Sequence, residues 1–173
     1  MSNKPTIDMC NEFANKRKYF DLNPNGAWEN FDPNMQEIIN SSQWHEAKFI
    51  DEERGALHID MSGVPNDVGG IYVFVLKPEI IPRAHVYIMY IGRAKHTTNQ
   101  NLRKRCKEYF NDIRPKILMM REHWGKHLYI RYLPLDDNNI IDQMEKSLIN
   151  AILPPCNDII PDKTIMMAKK AAF

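Results

Sequence analysis

Cysteine is scarce and scattered. The 173-residue chain holds three, Cys10, Cys106 and Cys156, far apart and with no Cys-x-x-Cys pair. That spacing argues against a disulfide framework or a cysteine zinc site and leads us to expect a reducing, cytoplasmic setting. No apolar run approaches the ~18 residues of a membrane span. The opening Met1-Ser2-Asn3-Lys4-Pro5 lacks the apolar stretch of a secretory signal. The sequence contains no internal repeat and no low-complexity tract. Net charge is also nearly absent, at +1, but this hides an asymmetry. Residues 1–69 hold 6 Lys+Arg against 12 Asp+Glu, net −6, and residues 70–173 hold 17 against 10, net +7. Segment 93–107 carries Arg93, Lys95, Arg103, Lys104, Arg105 and Lys107 and no acid. A basic patch on a neutral protein suits phosphate contact, and a solvated helix face is the competing reading.

A hydrophobic content of 43% is enough for one core, and the length fits one domain with a lobe attached. We expect an N-terminal extension over 1–66, a core over 67–157 and a tail over 158–173. In the extension, the spacing of Ile7, Cys10, Phe13 and Ala14 predicts a first helix within 1–20. Asn23-Pro24-Asn25-Gly26 predicts a turn, and Asp32-Pro33 a cap opening a second helix. Trp44, Phe49, Ile50, Leu57, Ile59 and Met61 predict one or two strands turned at Glu53-Arg54-Gly55. The aromatics Tyr19, Phe20, Trp28, Phe31 and Trp44 read as packing groups, with base stacking as the alternative. Being acidic and aromatic, this lobe is expected on the back of the core sheet and not over the basic segment.

Beyond the loop Ser62–Asp67, Ile71–Leu76 and Val86–Ile91 are β-branched and aromatic runs bounded by Gly and Pro, which predicts two antiparallel strands. A helix is predicted over 101–113, with an apolar stripe of Leu102, Cys106, Tyr109, Phe110 and Ile113. Arg105 falls beside that stripe, while Arg103, Lys104 and Lys107 are expected to face water. Pro115 opens a further helix to about His123. Leu128–Leu133 predicts a third strand. Asp136–Asn139 caps a last helix to Ile152, with Ile141, Met144, Leu148, Ile149 and Ile152 buried. Glu145 lies inside that stripe. A carboxylate there needs a cationic partner, which leaves a metal ion and a plain ion pair as alternatives.

Gly70-Ile71-Tyr72 and Tyr90-Ile91-Gly92 stand at matching places in the two strands, followed by Arg105 on one helix and Glu145 on a later one. In this order they resemble the GIY-YIG nuclease family, over about Asp67–Asn157. The resemblance implies an α+β fold: a small three-stranded antiparallel sheet flanked by helices, in the order β-β-α-β-α, with an N-terminal α/β extension. It implies a divalent-metal-dependent DNA endonuclease, with Tyr72, Tyr90, Arg105, Tyr109 and Glu145 as catalytic residues. Glu145 would be the ligand of Mg²⁺, with Mn²⁺ as a substitute. Arg93, Lys95, Lys104, Lys107 and Asn157 would contact DNA. Tyr109 stands where many members carry His, as it does in the nucleotide-excision-repair branch, whose motif this chain most resembles. The expected role is restriction, phage defence or a mobile element, with a homodimer or a regulatory protein as partner. A structure-specific repair nuclease and a catalytically silent binding module are the alternatives.

Overall fold

The computed structural model describes residues 31–172 apart from 82, 83 and 85. The expected first helix, the turn at 23–26, Trp28 and the basic run 15–18 lie outside the described residues. Asp32 caps helix α1 (Pro33–Ser41), its side chain accepting from Asn34 N at 2.9 Å, with Pro33 at the first turn where its missing N–H costs nothing. Next come β1 (His45–Lys48), the hairpin pair β2 (Ile50–Asp51) and β3 (Ala56–Leu57), and a 3₁₀ turn at Ile59–Ser62. Ile59 and Met61, expected in a strand, belong to that turn.

The core elements are β4 (Gly69–Leu76), β5 (Tyr87–Ala94), α2 (Leu102–Glu108), a 3₁₀ turn at Tyr109–Asn111 and α3 (Pro115–Trp124). A 3₁₀ turn at Gly125–His127, β6 (Leu128–Leu135), α4 (Asn138–Ile152) and α5 (Lys163–Ala172) complete them. Among these residues no helix is long and apolar enough to cross a membrane.

The sheet has four antiparallel strands in the order β1-β6-β4-β5. The expected three-stranded sheet is thereby corrected. The extension adds β1 to the outer edge of β6, pairing His45 with Tyr132 and Lys48 with Tyr129. An edge strand leaves backbone groups unpaired, and a short polar strand from the same chain covers them. β4 lies between β5 and β6, and all eight of its residues are buried.

Strand alternation divides the core between the two faces of the sheet. On one face Tyr72, Phe74 and Tyr132 pack with Leu102, Cys106 and Tyr109, joined by Phe49, Met61 and Val64 of the extension. On the other, Ile71, Val73, Ile91 and Leu133 pack with Ile141, Met144, Leu148 and Ile149 of α4, joined by Met35 of α1. The described part of the extension, residues 31–66, therefore lies along the sheet edge and contributes to both faces, not to the back alone. Arg103, expected in water, anchors it: its Nε donates to Val64 O at 2.5 Å.

Two other expectations fail at helix ends. The α-helix stops at Glu108 and tightens into the 3₁₀ turn, so the phase that placed Ile113 in the stripe is lost and Ile113 is 83% exposed. Ile152 is likewise exposed, because α4 ends there and Leu153 turns left-handed at φ 52°. Cys106 and Cys156 are both buried.

Candidate functional site

Strand register brings the motif residues together. Tyr72 is opposite Gly92, and Phe74 is opposite Tyr90. The pairing shifts between Phe74 and Val75, and this irregularity sits beside Tyr90. Such bulges bend a strand and re-aim the side chains next to them. Gly92 has a steric reason to be glycine. A Cβ there would lie 2.5 Å from the Tyr72 hydroxyl and 2.6 Å from its Cζ, so the ring of Tyr72 occupies the space a side chain would need. Gly70, at φ 149° with the Leu133 carbonyl against it, is equally closed to a side chain.

The 3₁₀ turn that follows α2 lays Tyr109 over these strands. The Tyr72 and Tyr109 hydroxyls are 2.8 Å apart, and Tyr109 donates to the Tyr90 hydroxyl at 3.0 Å. A phenol carries one proton, so Tyr72 must donate to Tyr109. The three hydroxyls form a directed chain from Tyr72 through Tyr109 to Tyr90, which leaves the Tyr90 proton at its outer end. Tyr72 is 1% exposed, whereas Tyr90 is half-buried. Burial, reinforced by the neighbouring phenols, holds the pKa of Tyr72 well above the ordinary phenol value. It raises that of Tyr90 too, against a partial offset from Arg114. Both are neutral hydroxyls near pH 7, able to donate and to accept.

Arg105 reaches this chain from α2. Its Nη2 donates to the Tyr109 hydroxyl at 3.4 Å, and its Nη1 pairs with Glu108 at 2.6 Å. It therefore does not snorkel freely, and with a side chain 36% exposed it keeps access to solvent. The expected cluster of Tyr72, Tyr90, Arg105 and Tyr109 is thus assembled.

Glu145 belongs to a second cluster, on the α4 side of the sheet. Arg93 Nη1 pairs with its Oε2 at 2.7 Å, and Lys95 Nζ pairs with Asp142 Oδ2 at 2.6 Å. Burial raises the pKa of Glu145, and the Arg93 charge opposes that rise. The Arg105 charge also opposes that rise. Arg93 and Lys95, expected to contact DNA, are held by acids of α4. Lys104 Nζ donates to Asn99 O at 2.6 Å, and Lys107 is exposed. Asn157 is 5% exposed, with both amide atoms engaged by Ile91: its Oδ1 accepts from Ile91 N at 2.9 Å and its Nδ2 donates to Ile91 O at 2.8 Å.

The resemblance implies a divalent cation on Glu145. Among the described residues no group of three or more His, Cys, Asp or Glu is gathered. The donor chemistry still fits a hard cation that keeps several waters. Asp142 lies three residues before Glu145 on the helix. Its Oδ1 is buried without a hydrogen bond, because Arg93 Nε is 3.1 Å away but out of line. A cation bound to Glu145 Oε2 would compete with the Arg93 guanidinium for that oxygen.

Sequence reasoning missed two residues. Asp142 is i−3 from Glu145, a spacing that puts two carboxylates on one helix face. Arg114 has its Cζ 5.5 Å from the Tyr109 ring centre and 6.0 Å from that of Tyr90. Its place before Pro115 signals extended backbone at a helix start. An open cleft of about 370 Å³ lined by Ile50, Gly55, Phe110, Asn111, Arg121 and Glu122 includes none of the expected site residues. Comparison with family models, curated proteins and solved structures finds no match to this chain.

Proposed function

We propose that the protein is a DNA endonuclease that hydrolyses phosphodiester bonds with the help of a divalent metal. The observation that carries this reading is the three-hydroxyl chain of Tyr72, Tyr109 and Tyr90 ending beside the Arg105 guanidinium. Phosphoryl transfer needs positioning and charge stabilisation more than covalent chemistry. Arg105 offers a planar fork to a non-bridging phosphate oxygen, which lysine cannot match. The Tyr90 hydroxyl stands at the open end of the chain, where it positions the attacking water. Tyr109 and Tyr72 behind it hold Tyr90 in place through their hydrogen bonds, and the proton of the water passes to bulk solvent as the new P–O bond forms and the bond to the leaving oxygen breaks. The buried phenols are poor bases on their own, so the guanidinium must stabilise negative charge as it develops. A Mg²⁺ or Mn²⁺ ion, when bound at Glu145, supplies Lewis acidity to the leaving oxygen. Arg93 and Lys95, on release from α4, are placed to take flanking phosphates, and Lys104 and Lys107 extend that contact along α2. The role proposed for this nuclease is restriction, phage defence or a mobile element, acting alone, as a homodimer or with a regulatory partner.

One observation favours a second reading. Arg93 occupies a carboxylate oxygen that a metal ion would need, which favours a module that binds nucleic acid or protein without turnover. Incubating the protein with supercoiled plasmid in Mg²⁺, in Mn²⁺ and in EDTA separates the two. Metal-dependent nicking or linearisation is the expected result. Tight binding with intact plasmid in both metals refutes hydrolysis and leaves the silent module.

A further inference from the structure

Arg114 is held more elaborately than a surface arginine needs. Its Nε lies 3.1 Å from Asp112 Oδ1 and 3.0 Å from Oδ2, and its Nη2 lies 2.6 Å from Oδ2. Asp112 is fixed in turn: its Oδ1 accepts from Arg114 N at 2.9 Å. Arg121 pins the loop beneath by donating to the carbonyls of Phe110 and Asp112. The acid is the inner partner, 18% exposed, and the arginine the outer one at 47%. An exposed pair of this kind contributes little stability, so the value of the support lies in aiming the guanidinium. Five N–H donors are available, and Asp112 occupies those on one edge. The guanidinium stands beside Tyr109 and Tyr90, its Cζ 5.5 and 6.0 Å from their ring centres, at the open end of the hydroxyl chain.

Arg105 approaches the same ring. Its Cζ is 5.2 Å from the Tyr109 centre, against 5.5 Å for Arg114. Two guanidinium groups therefore approach one phenol ring. Each has one acidic partner, Glu108 or Asp112, that steadies it.

We propose that Arg114 is a second phosphate-holding arginine, gripping the phosphate next to the one held by Arg105 and so fixing the strand across Tyr90. This rests on the phosphodiester reading above. Asp112 and Arg121 are positioning residues that act through Arg114.

The test uses the full chain. Binding of a fluorescent mixed-sequence duplex is measured in EDTA over a series of KCl concentrations, beside plasmid cleavage in Mn²⁺ and thermal melting. Arg114→Ala, Arg114→Lys and Lys163→Ala are compared, the last removing a charge from the start of α5. Arg114→Ala is expected to melt like wild type and bind about tenfold more weakly. Its plot of log affinity against log salt should be shallower by about 0.9, the loss of one phosphate contact. Arg114→Lys should regain the salt slope but not the cleavage rate, because the fork is gone. Lys163→Ala should change neither. Wild-type binding with no cleavage, together with the altered slope in Arg114→Ala, sinks hydrolysis while supporting the phosphate contact. A wild-type slope in Arg114→Ala overturns the proposal. So does a weakening that accompanies a lowered melting point and is not restored by lysine. A wild-type protein that binds no duplex overturns both readings.

Discussion

Substituting Gly92 by alanine tests the geometry of the site with one methyl group. The new Cβ would stand 2.5, 2.6 and 2.7 Å from the hydroxyl, Cζ and Cε2 of Tyr72. Ordinary carbon contacts are about 3.5–4.0 Å, so ring and strand must separate by about 1 Å. The ring cannot simply swing away. Tyr72 is 1% exposed and held edge-on by Phe74 and Tyr109, with centroids at 6.2 and 5.6 Å. Overpacking of this kind costs about 1–3 kcal/mol. The displacement also stretches the 2.8 Å bond from Tyr72 to Tyr109. Leaving a buried hydroxyl unpaired adds about 1–3 kcal/mol. A total near 3 kcal/mol lowers the melting temperature by about 6–12 °C in a chain of this size. Calorimetry of Gly92→Ala and of the double variant Gly92→Ala/Tyr72→Phe measures it. The double variant removes the hydroxyl oxygen, the closest atom, and should recover part of the loss. Wild-type melting in Gly92→Ala, or no recovery in the pair, would show that Tyr72 does not fill the space beside Gly92.

Three further outcomes are expected. Glu145→Ala should abolish plasmid cleavage and leave duplex binding unchanged or tighter; melting should stay within about 1 kcal/mol, because Arg93 keeps Asp142, and unfolding would make Glu145 a structural partner instead. Arg105→Lys should cut about 100-fold more slowly at unchanged stability, since one ammonium cannot keep both Glu108 and the Tyr109 hydroxyl; a loss no larger than that of Lys104→Ala would reduce Arg105 to one more phosphate contact. Alkali should unfold the protein, because burial raises the pKa values of Tyr72 and Tyr90. Above about pH 10 the native state then binds more protons than the unfolded chain, so stability falls as pH rises. Phenolate absorbance should appear with the loss of the fold, and Tyr72→Phe should reduce its amplitude; full ionisation at the ordinary phenol pKa in a folded protein would contradict the burial argument.

The central strands were legible because each is a long β-branched or aromatic run, and the partners of α4 because its stripe repeats without interruption. Strands were expected around the turn at Glu53-Arg54-Gly55, where β1 to β3 lie, but the place of β1 in the core sheet was not legible: His45-Glu46-Ala47-Lys48 has one buried residue and no apolar alternation, since an edge strand needs only its backbone to pair. Ile113 was misplaced because helical phase was carried through a 3₁₀ turn. The tyrosine-arginine cluster followed from the motif order. The capture of Arg93 by Glu145 and the aiming of Arg114 at Tyr109 did not, since neither partner is marked by local periodicity. The possibility that Glu145 has an ionic partner could be seen from its apolar surroundings; the identity of that partner could not.

The clasp between Asn157 and Ile91 has a kinetic consequence. β5 is an edge strand, and the amide of Ile91 is sheltered by a side chain, while Met89 O is occupied by Cys156 N at 2.9 Å. A side-chain clasp opens by local departure of its own segment, without unzipping the sheet. Deuterium uptake at Ile91 should therefore report the opening of residues 154–157, while amides of β4, paired on both sides, exchange through larger unfolding. Tyr90 lies between the two clasped residues, so each excursion of that short segment loosens the outer end of the hydroxyl chain. The lifetime of the clasp limits how long that end stays in register.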